Sequence, residues 1–293
     1  MKKTFIMVLV ALMTLGTLVF LAGCGNDANG ENEINKIAVI SREDGSGTRG
    51  AFVELFKIEQ KDADGNKVDY TSEDADITNS TSVMMTSVAS NENAIGYISL
   101  GSLNNSVKAV VIDGAEASVA KIKSGAYKIS RPFNIATKGN VSKATQAFID
   151  FIMSADGQAV VEDSGYIKAV EGAAFSGSNV AGKVVVAGSS SVTPVMEKLK
   201  ETYLAVNPNA EIEVQQSDSS AGINSAKDGI CDIGIASRAL KESEIAAGLT
   251  PSVIALDGIA VIINNDNPVN ELASEQVQAI FTGEITTWNE LNG

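Results

Sequence analysis

The sequence predicts an α/β fold in which largely parallel strands are separated by helices. Short apolar runs of strand length alternate with longer segments in which apolar residues recur at helical spacing. Polar turns rich in glycine, serine or threonine follow several of the apolar runs, as they do where strands lead into helices. The composition, 44% hydrophobic and 20% charged over 293 residues, is that of a globular chain long enough for one large or two medium domains.

Each predicted element rests on a local pattern of apolar residues. Strands are predicted where short apolar runs end in polar turns, at 37–40, 94–100, 107–112, 131–137, 183–188, 211–214, 232–236, 253–256 and 259–263. Helices are predicted where apolar residues recur every three or four positions, at 50–59, 82–89, 115–124, 142–165, 195–205 and 274–281. The stretch 172–182, GAAFSGSNVAG, is small and nearly uncharged, which is typical of a linker.

The start of the chain has the pattern of an export segment. Met1-Lys2-Lys3 is basic, 4–21 is apolar, and the run closes in the sequence LAGC at Cys24. This pattern resembles a bacterial lipoprotein signal, which implies a signal peptide at 1–23, a lipid on Cys24 and a tether at 24–33. The mature chain is then expected on the extracytoplasmic face of the cell membrane, anchored by its lipid. A transmembrane helix is the alternative, since the apolar run is near the length that spans a bilayer.

Charge and the rarer side chains exclude several classes of function. The formal net charge is −14, which disfavours nucleic acid as a partner. The chain has no histidine, so it lacks the commonest general base and the commonest metal ligand. Cys231 lies in an apolar-leaning run and is expected to be a buried thiol. We therefore expect no cofactor and no metal.

The stretch 41–50, SREDGSGTRG, combines glycine, hydroxyl groups and arginine between a predicted strand and a predicted helix. A helix N-terminus offers unpaired backbone N–H groups and the positive end of the helix dipole, and both favour anions. Its glycines let the backbone approach a ligand, and Arg42 and Arg49 add fixed positive charge. The stretch is therefore either an oxyanion cradle or a capped strand-to-helix turn with solvated arginines.

Three more turns share this character, at 188–194, 216–222 and 236–238. Each follows a predicted strand and is rich in hydroxyl groups, glycine or arginine. In parallel sheets, ligands bind at the carboxyl ends of strands near the N-termini of helices. The repetition of such turns favours the cradle and predicts that they converge on one oxyanion.

Six motifs together resemble one family, the phosphate-binding proteins of bacterial phosphate ABC transporters. The motifs are GSSSVTP at 188–194, SSAG at 219–222, DIGIASR at 232–238, RxDGSGT at 42–48, FTGEITTW at 281–288 and GYI at 96–98. The resemblance spans nearly the whole mature chain. It implies a type II periplasmic-binding-protein fold, in which two α/β lobes close on one dehydrated anion. It also implies a monomer that binds inorganic phosphate, is not an enzyme, and delivers its ligand to the transmembrane subunits of an ABC permease.

The order of the motifs differs from that of the family. There the GSSSVTP-type segment comes first, and the FTGEITTW-type segment leads directly into the strand before RxDGSGT. We infer a circular permutation in which 172–182 joins the family's usual ends. Lobe one would then comprise 132–264, and lobe two 34–131 together with 265–293. A single frame cut from a tandem array of such domains is the competing explanation.

The resemblance also implies a set of ligand-binding residues. Arg42 would donate to the anion, with Asp44 holding its guanidinium group. Ser237 stands where the family has a carboxylate that accepts a proton from phosphate, so discrimination against sulfate would be weaker or would come from elsewhere, for example Asp44. The following Arg238 is either part of the site or one half of a structural salt bridge. The full predicted set is Arg42, Asp44, Ser46, Gly47, Thr48, Ser191, Val192, Thr193, Ser219 and Ser237.

Two other functions can be weighed from the same residues. An enzyme acting on phosphate esters is disfavoured, because Ser46 has no histidine partner and the carboxylates are not at metal-ligand spacing. A non-transport sensor or surface domain that has kept the fold but changed or lost its ligand, for example to sulfate or another oxyanion, is the alternative. Ser237 and the unusual motif order keep this alternative open.

Overall fold

The computed structural model describes residues 35–292. The predicted signal peptide at 1–23, the predicted lipid site at Cys24 and the predicted tether at 24–33 lie outside the described residues. Within 35–292, no helix combines the length and apolarity that crossing a membrane requires.

Fourteen strands and nine α-helices make up the described part of the chain. The strands are β1 Ala38–Arg42, β2 Glu59–Lys61, β3 Lys67–Asp69, β4 Asp76–Thr78, β5 Ala94–Ser99, β6 Lys108–Ala109, β7 Val111–Ile112, β8 Ser130–Lys138, β9 Ile167–Lys168, β10 Gly182–Ser189, β11 Ala210–Ser217, β12 Ile233–Ala236, β13 Leu249–Ile263 and β14 Glu271–Leu272. The helices are α1 Gly47–Leu55, α2 Thr81–Ala89, α3 Val119–Lys123, α4 Lys143–Ile152, α5 Ala155–Asp163, α6 Thr193–Val206, α7 Ser219–Lys227, α8 Glu242–Ala246 and α9 Ser274–Thr282. Short 3₁₀ turns occupy Leu100–Ser102 and Trp288–Asn292.

The main sheet is parallel at both ends and antiparallel in the middle. Its strand order is β11-β10-β12-β8-β13-β5-β1-β4. Strand β10 pairs in parallel with β11 and β12, and β1 pairs in parallel with β4 and β5. The long strands β8 and β13 pair antiparallel between these two sets. The predicted α/β class is confirmed, with a central antiparallel pair that the alternation of elements does not reveal.

Buried side chains form two core regions on either side of the β8–β13 pair. Core region I draws on residues from 37–129 and from 259–288, and core region II on residues from 133–255. The change of core falls within β13, because Ala255 packs in region II and Ile259 in region I. The predicted lobe boundary at 264 lies beyond this point, and the division into lobes stays a prediction.

Several predicted elements are divided differently in the structure, as a helix and a pair of strands illustrate. The single helix predicted over 142–165 is two helices, α4 and α5, because Ser154 accepts a hydrogen bond from the Gly157 N–H at 3.2 Å and caps a new helix. The two strands predicted at 253–256 and 259–263 are one continuous strand, β13, with a register shift between Val253 and Ala255. A local helix cap decides the first case, and pairing with β8 along the sheet decides the second.

The two ends of the described chain lie side by side. The Ile37 N–H donates to the Thr286 carbonyl at 2.8 Å, and the Trp288 N–H donates to the Asn35 carbonyl at 3.1 Å. Phe281 and Trp288 are buried in core region I with the residues that follow β1. The C-terminal segment therefore belongs to the same core as the segment that begins at Ile37.

Candidate oxyanion site

Helix α1 begins directly after strand β1, and its start carries three of the predicted residues. Ser46 caps the helix, since its Oγ accepts a hydrogen bond from the Arg49 N–H at 3.3 Å. Gly47 and Thr48 follow in the first turn and are buried. The segment 41–48 thus forms a capped turn, and its helix start lies at the contact between the two core regions.

Helix α6 brings a second group of hydroxyls to the same place. Its first turn follows β10, and Pro194 occupies an early helical position where a missing N–H costs little. Ser191 and Val192 are buried. The hydroxyl of Thr193 donates to the Ser189 carbonyl at 3.0 Å, so it is used within its own turn.

Buried hydroxyl groups from both core regions meet at Ser237. The Ser189 Oγ donates to the Ser237 Oγ at 3.0 Å, and the Ser237 N–H donates to the Ser219 Oγ at 3.1 Å. Thr48 reaches across from core region I, with its Oγ1 at 2.8 Å from the Ser191 Oγ and 3.5 Å from the Ser237 Oγ. We call these side chains, with two more described below, the hydroxyl cluster: Thr48, Thr81, Ser189, Ser190, Ser191, Ser219 and Ser237.

Arg42 places a buried positive charge beside this cluster. Its side chain is 2% exposed, and its Nη2 donates to the Ser190 Oγ at 3.1 Å. Its Nε and Nη2 also donate to the two carboxylate oxygens of Glu43, at 2.8 Å and 2.7 Å. The fork geometry of this pair fixes the plane of the guanidinium group.

The predicted partner of Arg42 was wrong. Asp44 does not hold its guanidinium group; the Asp44 side chain is 96% exposed and accepts instead from Arg49 Nη1 at 2.8 Å. Glu43 is one residue closer along the turn and has the extra methylene needed to reach back to both nitrogens. Asp44 therefore lies outside the hydroxyl cluster, while Arg49 braces the turn by donating to the Arg42 carbonyl at 2.8 Å.

Three residues of the site, Thr81, Ser189 and Ser190, were not predicted from the sequence. Thr81 lies in the first turn of α2, and its Oγ1 is 3.2 Å from the Ser191 Oγ and 3.5 Å from the Ser190 Oγ. The signal was present in the polar run 79–82 before an apolar helix, but that run has no glycine turn and matches no quoted motif. Ser189 and Ser190 lay within a predicted turn but were not singled out.

The Tyr97 hydroxyl holds the end of β1 through two hydrogen bonds. Its hydroxyl shares a hydrogen bond of 2.9 Å with the Ser41 Oγ and accepts from the Arg42 N–H at 3.2 Å. Burial raises the pKa of Tyr97 to about 12, so it stays neutral. Its ring stacks on Phe52 with centroids 3.8 Å apart, which ties the strand end to helix α1.

Arg238 forms the salt bridge that was one of its two predicted roles. Its Nη1 and Nη2 donate to the Glu244 carboxylate at 2.9 Å and 2.8 Å. Burial alone would raise the pKa of Glu244, but hydrogen bonds from Arg238 and from the Lys241 N–H outweigh it and lower the pKa. Cys231 is buried as predicted, and burial raises its pKa to about 11.

The described residues hold no group of three or more acidic or cysteine side chains placed to bind a metal ion. What they bring together is a positive charge, a set of hydroxyls and the starts of four helices, α1, α2, α6 and α7. Such a set can surround a small oxyanion with donors from every side.

Comparison with known proteins identifies the family. A family model described as "PBP superfamily domain" matches residues 27–156 and 173–293. The phosphate-binding protein PstS 2 of Streptococcus agalactiae is 56% identical over 293 residues, covering all of both chains. The chain belongs to the PstS family of phosphate-binding proteins.

Two further comparisons bear on the fold and on the extent of the sequence similarity. The crystal structure of a phosphate ABC transporter phosphate-binding protein from Streptococcus pneumoniae TIGR4 superposes with a TM-score of 0.69 at 47% identity, covering 87% of this chain and 99% of that one. The PstS of Bacillus subtilis is 32% identical over 114 residues, which is 38% of each chain. The PBP-like α/β fold is therefore shared with the pneumococcal protein over 87% of this chain, and sequence similarity to the Bacillus protein is confined to 38% of it.

Proposed function

We propose that this protein binds inorganic phosphate and delivers it to the membrane subunits of an ABC transporter. The observation that carries the proposal is Arg42: a buried guanidinium group directed at the hydroxyl cluster, in a chain of the PstS family. The streptococcal relatives are named as phosphate-binding proteins, and one is assigned to a phosphate ABC transporter. The family is a transporter component, and the protein is not an enzyme.

The site's chemistry suits a tetrahedral oxyanion. Arg42 supplies charge-assisted hydrogen bonds, which are about twice as strong as neutral ones. The starts of α1, α2, α6 and α7 each add the positive end of a helix dipole, which contributes about 0.3–1 kcal/mol per helix for an anion near the first turn. At α7, the Asp218 carboxylate already accepts from the Ala221 N–H at 2.8 Å, and the Gly45 carbonyl accepts from the Ser220 N–H at 3.1 Å. Hydroxyl groups can donate to unprotonated phosphate oxygens and accept from a protonated one.

The two core regions correspond to the lobes of a type II binding protein that close on the ligand. Contacts between them run through the hydroxyl cluster, as in the Thr48–Ser191 hydrogen bond of 2.8 Å, and through the backbone, where the Ser220 N–H donates to the Gly45 carbonyl at 3.1 Å. These contacts favour a closed arrangement. Ligand-driven closure would present a changed surface to the permease.

The segment order is best explained by circular permutation. The adjacency of Ile37 and Thr286 supports it, because a short loop between them would restore the family's order. The burial of Phe281 and Trp288 in core region I argues against a segment that waits for a neighbouring domain. A match confined to 38% of the Bacillus chain is also what a permuted order would produce in a collinear comparison. The streptococcal relative, matched end to end, would share the permuted order.

We extend the proposal to the cell surface. The LAGC sequence ending at Cys24 supports lipid attachment and an extracytoplasmic, membrane-anchored monomer. In cells fed a palmitate analogue that carries a detectable tag, the wild-type protein should acquire the tag and Cys24→Ser should not. Absence of the tag from the wild-type protein would contradict a lipid anchor.

Calorimetry with phosphate, sulfate and arsenate tests the proposed ligand. The wild-type protein should bind phosphate, and Arg42→Ala should weaken binding at least about 100-fold, since hydrogen bonds to a charged group contribute about 1.5–3 kcal/mol each. Lys183→Ala, which removes a positive charge from an exposed ion pair with Glu213, is the matched control and should bind as wild type. Absence of phosphate binding by the wild type would overturn the proposal.

The same titration addresses the alternative of a changed ligand. Ser237 offers a hydroxyl, not a carboxylate, at the centre of the cluster, and a hydroxyl can donate to sulfate as readily as to phosphate. Sulfate binding tighter than phosphate binding would favour the alternative of a changed ligand.

A further inference from the structure

The direction of each hydroxyl proton in the cluster decides which protonation state of an oxyanion the site can bind. A hydroxyl group donates one hydrogen bond and has two lone pairs with which to accept. A hydroxyl group that already accepts from a protein donor, and has no close acceptor for its own proton, presents that proton to a ligand. The hydrogen bonds within the cluster therefore separate hydroxyls that donate to the ligand from hydroxyls that can also accept.

Three serines of the cluster accept from protein donors and keep their own protons for a ligand. The Ser190 Oγ accepts from the Arg42 Nη2 at 3.1 Å. The Ser219 Oγ accepts from the Ser237 N–H at 3.1 Å, and the Ser237 Oγ accepts from the Ser189 Oγ at 3.0 Å. The cluster oxygens that these protons could reach lie 3.4–3.5 Å away, where an O–H···O hydrogen bond is weak. We call Ser190, Ser219 and Ser237 the donor serines.

Thr48, Ser191 and Thr81 form a second set, the hydroxyl trio, whose protons can turn. The Ser191 Oγ lies 2.8 Å from the Thr48 Oγ1 and 3.2 Å from the Thr81 Oγ1, and either atom of each pair can be the donor. The two contacts use two of the three protons. In either direction, one end of the trio keeps a proton to donate and the other end keeps a lone pair to accept. The trio can therefore accept one proton from a ligand while the donor serines donate to its other oxygens.

No carboxylate group within residues 35–292 accepts a hydrogen bond from the hydroxyl cluster; the two that flank it are engaged elsewhere. Both oxygens of Glu43 accept from Arg42, at 2.8 Å and 2.7 Å. The Asp218 carboxylate accepts from the Ala221 N–H at 2.8 Å and caps helix α7. The trio is therefore the acceptor that the site offers to a protonated oxyanion.

We propose that the site binds tetrahedral oxyanions that carry at most one proton, and that it therefore prefers the phosphate dianion HPO₄²⁻ to the monoanion H₂PO₄⁻. The dianion offers bare oxygens to Arg42 and the donor serines, and its single P–OH group donates to the trio. The monoanion brings a second proton, which meets a donor where it needs an acceptor, and an unsatisfied buried donor costs binding free energy. Sulfate, which has no proton, is also bound, because the trio turns its remaining proton toward it. This inference rests on the proposed function and adds the form of the ligand to it.

A pH series of calorimetric titrations with phosphate and sulfate tests this preference on the wild-type protein. Between pH 8 and pH 6 the phosphate affinity should fall about 10-fold relative to the sulfate affinity, since the second ionisation of phosphate lies in this range. Sulfate stays unprotonated, so its affinity follows any titration of the protein itself, and the ratio of the two affinities cancels that titration. The charged or titratable groups that face the cluster are Arg42, Glu43 and Arg49 from the β1–α1 segment, Tyr97 from β5, Asp218 before α7, and Arg238 with Glu244 after β12.

Ser237→Asp replaces a donor serine by an acceptor. The aspartate should repel the bare oxygens of sulfate and weaken sulfate binding at least about 100-fold, because like charges in contact cost several kcal/mol. It should also accept the second proton of the monoanion, so the phosphate affinity should no longer fall between pH 8 and pH 6. Ser176→Asp is the matched control, since it adds the same charge at an exposed position of the 172–182 stretch and should leave both affinities as in the wild type.

A wild-type phosphate affinity that follows pH as the sulfate affinity does, or that rises relative to it on acidification, would overturn the inference. So would a wild type that binds phosphate and not sulfate, a result that leaves the proposed function in place. Sulfate binding without phosphate binding would overturn the proposed function, and loss of sulfate binding in Ser237→Asp would then still support the arrangement of donors. The wild-type series needs no variant, so the inference is tested even if Ser237→Asp fails to fold.

Discussion

Gly47 leaves no room for a side chain between the two core regions. A Cβ atom at this position would lie 2.5 Å from the Ser219 Oγ and 2.8 Å from the Ser237 Oγ. Both oxygens belong to buried residues held by their own hydrogen bonds, so neither can withdraw far. Because Gly47 has no side chain, the start of helix α1 can approach the end of strand β12 closely.

Gly47→Ala should therefore impair closure more than folding. We expect phosphate binding to fall by at least about 10-fold, since the added methyl group forces the contact to open by several tenths of an ångström. Gly50→Ala, three residues on in the same helix, is the control because nothing lies within 4 Å of the point that its added methyl group would occupy. That variant should bind normally and unfold at slightly higher denaturant, as alanine favours a helix over glycine by about 1 kcal/mol. Equal phosphate affinities for the two variants in calorimetry would contradict this account.

The sequence predicted only some of the residues that meet at the site. Arg42, Thr48, Ser191, Ser219 and Ser237 were brought together as predicted, because strand ends and helix starts in α/β folds converge on one edge of a sheet. The choice of Glu43 over Asp44 as partner of Arg42 was not predictable, since it depends on which way each side chain points from the turn. Thr81 was missed because its contact joins segments 110 residues apart along the chain.

At the scale of elements, the crossing of β8 and β13 decides how the two parallel sets of strands are joined. Pro132 predicted extended backbone before it, and β8 confirms this. The pairing of Arg131 with Asp257 spans 126 residues of sequence and follows from strand register, which neither local pattern specifies. The break between α4 and α5 was not predicted either. The apolar residues keep their helical spacing past Ser154, although the helix itself is interrupted there.

The crossing also predicts a pH dependence of stability. Burial raises the pKa of Asp257 from 3.8 to about 6, against the opposing effects of Arg131, the Ser99 hydroxyl and the Gly101 N–H. Burial, and to a smaller extent the nearby Asp257 charge, raises the pKa of Tyr127 and of Tyr166. The folded chain thus binds a proton at a pH where the unfolded chain is still ionised. This group therefore makes folding more favourable as the pH falls from about 6 toward about 4.

Urea unfolding of the wild type and of Asp257→Asn at pH 7 and pH 4.5 measures this contribution. The free energy of unfolding of the wild type, relative to the variant, should rise at the lower pH by about 1–3 kcal/mol. Taking the difference between the two proteins cancels carboxylates whose pKa values are lowered by folding, such as Glu244. A difference that is independent of pH, or that shrinks on acidification, would contradict the assignment.

At the scale of the whole molecule, the proposed permutation explains where the ends of the described chain and the 172–182 linker lie. The ends pair through Ile37 and Thr286, and the 172–182 stretch crosses the surface of core region II. Phe175 anchors that stretch, with its ring 5.2 Å from Phe151 and 6.0 Å from Tyr203. Beyond it, Gly177 is exposed and has a positive φ of 85°, with no neighbouring atom within 4 Å of where a Cβ atom would lie. The linker can thus be opened there without disturbing the core.

A rearranged chain tests the permutation directly. It would begin at Ser178, run to residue 292, continue through a short glycine–serine linker to residue 35, and end at Gly177. Because the Trp288 N–H, four residues before the junction, already donates to the Asn35 carbonyl, a short linker can join the two ends with little closure entropy. We expect a folded monomer whose phosphate affinity, measured by calorimetry, lies within about 3-fold of the natural order, since loop changes of this kind leave packed contacts intact.

The control is a chain rearranged in the same way but opened between Val186 and Ala187, inside the buried strand β10, where both parallel pairings would be interrupted. That chain should fail to fold, because its new ends would leave buried backbone groups unpaired. If the natural chain were instead one frame of a tandem array, segment 265–293 would pair between molecules, and both the natural and the Ser178 chains would associate in light scattering. If the natural chain formed dimers or larger species by exchanging that segment, the tandem array would be the better explanation and the permutation would be rejected. A monomeric Ser178 chain that binds phosphate would contradict the tandem-array explanation, since each chain would then supply every strand of its own site.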